Sequence, residues 1–492
     1  MTDQIVRSKH FLRFGEIIIP LLAWMIILMP LWLSPFHPAV VAYFIIAFDL
    51  YFLAKSALTA YYATLSYTLI QSFQHTEFDK LVKTQPESKN LEHFVIIPNY
   101  KEPVYKLSAT IQALTESDYP YKNIHLVLAF EKREAEAPEK GEELKKMFGH
   151  FFKDVHFTYH ILEDHEVPGK ASNQTFAAKK IYAHCKKNNI DPQKALITIC
   201  DADSMLPKNF FSYMTYEFIK DTDRLYHFYW APVLLYNNFW QLPFFVRMQA
   251  TLSSILRLAF LSQKEQLIHI STYSTNLWLL KEVDFWDVDI IPEDWHIYFQ
   301  AFFKFGEKVK TLPLYTIVNG DAVYSGSVMK TLMNRYDQER RWAWGVTDFA
   351  YFWKEMFVSP HIKPLVKVRK MWVLAENHLL WPVSFFVLTV SGWIPPLVNP
   401  VFKRTVMGFL LPQLSGFILT LATSMLILYI YLDIKLRRKL NVETKLINLP
   451  FLLIQWYLLP VVSFALSALP ALDAHTRLLL GKKLTYKVTE KV

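Results

Sequence analysis

Cysteine is almost missing, with only two among 492 residues. Cys185 and Cys200 lie in a stretch that reads as cytosolic and offer neither a disulfide framework nor a zinc site. There is no internal repeat and no low-complexity tract, so repeat architectures are set aside. A small-residue cleavage site is also lacking after the first apolar run, which argues against a cleaved signal peptide. What is abundant is apolar surface: 52% of residues are hydrophobic and 16% aromatic, too many for one ordinary soluble domain. The 20% that are charged are too many for a chain wholly in lipid, so a mixed protein follows. The formal charge of +9 does not point to nucleic acid, because the cations are dispersed or sit beside apolar segments. That placement suits anionic lipid headgroups and a phosphate-bearing substrate.

Two apolar runs, Ile17 to Leu33 and Ala39 to Leu58, flank the turn Ser34-Pro35-Phe36-His37-Pro38. Each approaches the roughly 20 residues needed to cross a bilayer, and together they read as a transmembrane hairpin. Arg7, Lys9 and Arg13 precede the first run, which places the N-terminus and the region after the second run in the cytoplasm. From about Leu91 to Gly345 short apolar runs alternate with amphipathic segments: His93 to Pro98, Val104 to Ser117, Ile124 to Phe130 and Ala195 to Cys200. Such alternation argues an α/β domain with a mainly parallel sheet. Ligands of such sheets sit beyond the carboxyl ends of the strands. Asn99-Tyr100-Lys101-Glu102, Glu131 and Asp201-Ala202-Asp203 each follow a run and are expected to converge there. Leu234 to Leu261 reads either as an interfacial amphipathic helix or as a core helix.

Beyond Lys370 come Val373 to Leu397, Val406 to Leu432 and Leu449 to Leu472. Lys435, Arg437, Arg438, Lys439 and Lys445 mark a cytoplasmic connection. Counting gives five spans and an exported C-terminus, yet the tail carries Arg477, Lys482, Lys483, Lys487 and Lys491. The tail's charge is the stronger guide, and the proline-containing Leu449 to Leu472 is expected to be re-entrant or broken. The expected division is a hairpin at 1–66, a cytoplasmic α/β domain with interfacial helices at 67–345, interfacial and transmembrane helices at 346–472, and a cytoplasmic tail at 473–492. Asp49 and Lys55 in the second run and Glu376, Asn377 and His378 in the third are costly in lipid, and either face a polar route or pair between helices.

Asp201 and Asp203 present hard oxygen ligands at a spacing suited to Mg²⁺ or Mn²⁺ carrying a diphosphate, although a turn or cap after a strand has the same look. Glu293-Asp294 follows Ile290-Ile291-Pro292 and opens a helix, where Asp294 is placed to act as a general base. One base suffices if the leaving group is a nucleoside diphosphate. Gln338, Arg341 and Trp342 fall on a further helix: arginine can clamp a diphosphate, and an indole face offers a platform to a sugar ring. An aromatic-rich helix lying on the bilayer is the alternative.

In this order the motifs resemble those of the membrane-embedded family-2 glycosyltransferases, in particular cellulose synthase and its relatives such as hyaluronan and chitin synthases. The resemblance rests on Ile96-Ile97-Pro98-Asn99-Tyr100-Lys101-Glu102-Pro103, Asp201 with Asp203, Glu293 with Asp294, and Gln338 with Arg341 and Trp342. The tail Tyr486-Lys487-Val488-Thr489-Glu490-Lys491 resembles the Phe-x-Val-Thr-x-Lys gating loop, with tyrosine for phenylalanine. The resemblance implies a domain of the GT-A type inserted between transmembrane segments. It also implies inverting, metal-dependent transfer from a UDP-sugar to a growing β-linked polysaccharide, with secretion, at the plasma membrane.

It implies roles residue by residue as well. Asp294 would be the base, with Glu293 beside it, and Asp203 and Asp201 the metal and diphosphate ligands. Arg341 would clamp the diphosphate, Trp342 carry the acceptor sugar with Gln338 nearby, and Tyr100 and Glu102 sit near the nucleotide. Thr489 and Lys491 would fold over bound UDP. The chain departs from the family at Ala129-Phe130-Glu131-Lys132, where Glu131 stands for the usual aspartate that holds uracil. It departs again at Gly169-Lys170-Ala171-Ser172-Asn173, which only loosely follows the usual Lys-Ala-Gly-x-x-Asn and leaves Lys170 as the candidate ligand, and at Pro292 in place of threonine. Single addition to a lipid-linked acceptor is the nearest rival, since ceramide and polyprenyl-phosphate sugar transferases share the catalytic domain. A transporter or a silent scaffold is the rival from another class.

Overall fold

The computed structural model describes residue 6 and residues 8–484. Thr489, Lys491 and the motif-bearing tail therefore lie outside the described residues. The chain divides into two compact units: Met1–Thr64 with Trp240–Ala259 and Val323–Val492, and Leu65–Phe239 with Phe260–Ala322.

The second unit is built on a seven-stranded sheet in the order β3-β2-β1-β4-β8-β6-β9. Its strands are β1 (Glu92–Pro98), β2 (Ile124–Glu131), β3 (Asp154–His160), β4 (Ala195–Ile199), β6 (His227–Trp230), β8 (Tyr273–Asn276) and β9 (Lys310–Pro313). A small second sheet joins β5 (Ser204–Met205), β10 (Val318–Gly320) and β7 (Val233–Leu234). Pairing is parallel from β3 through β4 and between β6 and β9; only β8 runs antiparallel to its neighbours β4 and β6. The expected α/β class with a mainly parallel sheet is the observed one.

Sequence dictates which strands lie inside. All eight residues of β2 are buried, as are the five of β4, and these are the continuous apolar runs that a sheet covered on both faces demands. The strand β3 is half-exposed along most of its length, as befits an edge. The helix Val104–Thr115 buries Leu107, Thr110, Ile111 and Leu114, a spacing of three and four that gives one apolar face. Thr110 Oγ1 donates to the carbonyl of Ala202 at 2.7 Å and so fixes the turn holding both aspartates. The helix Lys170–Lys187 stops where Asn189 takes a left-handed φ of 56°.

The first unit is helical. Among the described residues six helices are long and apolar enough to cross a membrane: Lys9–Leu33, Pro38–Phe73, Phe244–Leu261, Pro364–Thr389, Val406–Lys439 and Pro450–Leu479. Leu31, Trp32, Tyr43, Phe409 and Ile427 stay exposed along this set, apolar surface that lipid would cover. The chain is by these features a membrane protein.

The count exceeds the five expected spans by the helix Phe244–Leu261, whose apolar window is 61% buried and so largely packed inside the protein. The last segment is broken, as its prolines suggested. Pro450, Pro460 and Pro470 each sit in the first turn of a short helix, separated by a 3₁₀ turn at Gln455–Leu458 and a π turn at Phe464–Ala468. Polar groups inside this unit pair with one another: Ser415 Oγ donates to Asp49 Oδ2 at 2.6 Å, and Glu376 receives both Lys55 and Tyr51.

Ile197 lies in the fully buried β4. Truncating a buried isoleucine to alanine removes packing worth about 2–5 kcal/mol. Ile197→Ala is expected to lower the melting midpoint of the detergent-solubilised chain by several degrees, and an unchanged midpoint would contradict its central place.

Candidate active site

The carboxyl ends of β1, β2 and β4 lie side by side in the sheet, because these strands are neighbours. Beyond β4 the chain turns through Asp201-Ala202-Asp203 into β5, and both aspartates are half-buried there. Glu293 and Asp294 form the first turn of the helix Glu293–Phe305, with Pro292 as its N-cap residue. Carboxylates are favoured in a first helical turn by the unpaired backbone N–H groups around them.

Lys170, the first residue of its helix, projects into the same hollow. Its ammonium lies 2.8 Å from Asp201 Oδ1, 3.2 Å from Glu293 Oε1 and 3.7 Å from Asp294 Oδ1. Four of the residues singled out in the sequence thus meet here, three carboxyl groups around the one ammonium.

Ser271 completes the group, and no signal in the sequence marked it. Its backbone N–H donates to Asp294 Oδ2 at 2.7 Å, its hydroxyl donates to Asp201 Oδ2, and its carbonyl accepts from Lys170 at 3.4 Å. Ser271 holds this position at φ 70°, a left-handed conformation that costs a non-glycine residue about 1–3 kcal/mol. Next to it, Thr272 Oγ1 accepts from the backbone N–H of Asp201 at 3.2 Å.

Electrostatics follow from this crowding. Burial alone would lower the Lys170 ammonium, but Asp201, Asp294 and Glu293 outweigh it and hold the lysine well above its ordinary range. Asp294 moves in the same direction. Burial raises it, the lysine opposes, Glu293 and Asp201 raise it further and the Ser271 N–H lowers it, leaving the carboxyl pushed up to about 8. Its Oδ1 is buried and makes no hydrogen bond.

A second group stands at the ends of β1 and β2. Glu131, buried at the end of β2, pairs with Arg133, and the Arg133 guanidinium lies over the Tyr100 ring at 4.1 Å from its centre. Lys101, at φ 62°, donates its backbone N–H to Glu134 at 2.8 Å, while Lys140 pairs with Glu134 and donates to the Glu102 carbonyl at 2.7 Å. Tyr100, Glu102 and Glu131 therefore share one network of contacts at these strand ends, with Arg133 the member that sequence reasoning missed. Asn173 is structural in its contacts, its amide donating to the Ala129 carbonyl at 2.8 Å.

Gln338, Arg341 and Trp342 lie on the helix Val328–Ala343 of the other unit. There the fully buried Arg335 reaches Gln338 and Glu339 and lies over the Trp342 ring at 4.8 Å, with Arg257 over the same ring at 5.4 Å. Gln249 donates to Glu339. Arg335, Gln338, Glu339 and Trp342 share one face at helical spacing, and Arg341 stands half-buried beside it. The indole is thus fixed by two guanidinium groups that the motif does not include.

Residues 196–434 match the family model described as Glycosyl transferase family group 2. The matched stretch is a little under half of the chain. It spans β4 with the Asp-x-Asp turn, the Glu-Asp pair and the Gln-x-x-Arg-Trp helix. No curated protein matches.

Two solved structures show distant likeness. The mannosyltransferase PcManGT from Pyrobaculum calidifontis, in complex with GDP-Man and Mn²⁺, is 13% identical over 81% of this chain and 100% of its own, with a TM-score of 0.41. S. aureus TarS is 12% identical over 70% of this chain and 55% of its own, with a TM-score of 0.33. Likeness at this level transfers neither a ligand nor an activity.

Folding raises Asp294 from 3.8 to about 8, so across that interval the folded chain holds a proton that the unfolded chain releases. The resulting stabilisation is complete below 3.8 and is lost as pH rises through about 8. The melting midpoint of the chain is expected to fall over this window. In Asp294→Asn the slope should flatten; identical slopes in both chains would show that Asp294 titrates as an ordinary carboxylate.

Proposed function

We propose that the chain is a membrane glycosyltransferase that moves a sugar from a nucleotide sugar, with inversion, using Asp294 as its general base. The observation that supports this reading is the Asp294 carboxyl itself: one oxygen fixed by the Ser271 N–H, the other buried and without a hydrogen bond, in a hollow shared with Lys170, Asp201 and Glu293. A base works best when its pKa is close to the operating pH, and a carboxyl near 8 meets that condition where an ordinary one does not.

The donor set fits a divalent cation. Asp201, Glu293 and Asp294 outnumber the single ammonium of Lys170, and Asp203 is a further half-buried carboxylate two residues beyond Asp201 in the chain. Asp203 and Asp201 would hold Mg²⁺ or Mn²⁺, hard cations that take oxygen ligands. When bound, that cation supplies charge neutralisation to the departing diphosphate. The chain's own part is to keep Lys170 charged beside that diphosphate, to keep Asp294 ready for the acceptor's hydroxyl proton, and to hold both through Ser271. No partner acid is needed, because a nucleoside diphosphate leaves without being protonated.

Arg133 stacked on Tyr100 beside Glu131 suits the base and ribose of the donor. A uracil base is the expectation carried by the sequence resemblance, as are the roles of Gln338, Arg341 and Trp342. The same resemblance, through the tail motif, favours repeated addition to a β-linked glycan and its secretion at the plasma membrane, with the catalytic domain cytoplasmic. A second reading has an observation of its own. A groove of about 550 Å³ in the helical unit is lined by Phe245, Met333, Tyr336 and Leu466 with Arg340 and Asp337 among them, a surface suited to an isoprenoid or acyl chain with a charged head. That groove favours single addition to a lipid-linked acceptor. Product length from membranes given labelled nucleotide sugars separates the two.

Asp294→Asn is expected to lower nucleoside diphosphate release by about 10²–10⁴-fold, the usual worth of a positioned base, in a panel of nucleotide sugars with Mg²⁺ or Mn²⁺. Unaltered turnover would remove Asp294 from the chemistry. Arg133→Ala should raise the donor KM by about 3–30-fold with little change in kcat, since a stacking contact worth about 0.5–2 kcal/mol acts on ground state and transition state alike. A change in kcat alone would place Arg133 elsewhere in the reaction.

A further inference from the structure

At the opposite end of the sheet three histidines and an aspartate converge with no part in the proposed transfer. His125 opens β2, Asp154 and His156 lie at the start of β3, and His184 is in the last turn of the helix Lys170–Lys187. Register brings them together, since His125 pairs with Asp154 and Val127 with His156. Strands rise about 3.3 Å per residue, so His125 is roughly 20 Å from Glu131 along β2. The helix gives a similar spacing between His184 and Lys170, at about 1.5 Å per residue.

We propose that His125, Asp154, His156 and His184 form a binding site for a transition-metal dication of the zinc class. One ligand atom from each of the four lies within 4.8 Å of all the others. Tetrahedral zinc with bonds of about 2.0–2.1 Å sets its ligands about 3.4 Å apart. His125 Nδ1 already stands 3.4 Å from His156 Nε2 and 3.5 Å from Asp154 Oδ2. His184 needs only a small inward shift, and its ring centre is 4.6 Å from that of His156.

The proton arrangement fits. His125 donates from Nε2 to Glu92 Oε2 at 2.9 Å, and Glu92 is itself paired with Lys153. This leaves the Nδ1 lone pair of His125 facing the other three side chains, the carboxylate-backed imidazole common at metal sites. Burial, and then the neighbouring His184 and His125, push His156 down to about 4; burial followed by His125 lowers His184. Both offer neutral rings at physiological pH, the form that ligates. Asp154 is exposed, which gives a cation a way in from solvent.

A bound dication would tie the edge strand β3 to β2 and to the helix that carries Lys170, and through Glu92 to β1. Its task is to hold the fold, with no share in the chemistry.

The test uses the full chain in detergent, prepared without a polyhistidine tag, stripped with chelator and titrated with Co²⁺. The expected result is one equivalent giving the strong visible absorption of four-coordinate Co²⁺. That absorption should be retained in Asp203→Asn, lost in His156→Ala, and lost in Asp154→Asn, whose exposed position cannot unfold the chain. Glu92→Gln should weaken Co²⁺ about 10–100-fold while leaving the spectrum's shape. Zn²⁺ should raise the melting midpoint of the native chain and of Asp203→Asn, but not of His156→Ala. Failure of the absorption to appear, or its persistence in both His156→Ala and Asp154→Asn, would overturn the site.

Discussion

One ammonium among three carboxylates governs the candidate site. Lys170 lies 2.8 Å from Asp201, 3.2 Å from Glu293 and 3.7 Å from Asp294, and its positive charge offsets the crowding of these acidic groups. Removing one partner of a buried charged group is costly because the other is left unpaired. Strand order, helix start and the strained Ser271 all serve this meeting: β4 delivers Asp201, two helices deliver Lys170 and Glu293-Asp294 by their first turns, and Ser271 joins Asp201 to Asp294. Lysine and carboxyl shift in the same direction as a result, each holding its proton more firmly.

The proposed role of Asp294 as a base draws on the same balance. Ser271 engages one of its oxygens, and the other is buried without a hydrogen bond, 3.7 Å from the Lys170 ammonium. The helical unit uses the same device in a different setting, where Arg335 and Arg257 close on Trp342 and Glu339 balances Arg335.

Much of the architecture was legible because lipid and parallel sheets both demand long apolar runs. β1, β2 and β4 matched the runs at His93, Ile124 and Ala195 within a residue at each end. The broken last segment was legible from its prolines. By contrast β8, Tyr-Ser-Thr-Asn, has no apolar run to announce it and is buried by pairing with β4 and β6. The helix Phe244–Leu261 was ambiguous, since Arg247 and Arg257 within it read equally as surface or core, and it is largely packed inside the protein. In the site, Asp201, Asp203, Glu293 and Asp294 stood out by spacing, whereas Lys170 sat in a loosely matching segment. Ser271 and Arg257 carried no local pattern, because the partners named for them are distant in the chain, while Arg133 and Arg335 belong to no motif although Glu131, Gln338 and Glu339 lie close to them in sequence. The histidine group is of that kind too: its members come from three elements and meet only through strand register.

On the proposed reading the hollow around Lys170 accepts a nucleoside diphosphate together with a divalent cation. The decisive measurement is calorimetric titration of the purified chain with UDP, with and without Mn²⁺. Binding should depend on Mn²⁺ and be lost in Asp203→Asn. Binding of equal strength after chelation, or in that variant, would contradict it.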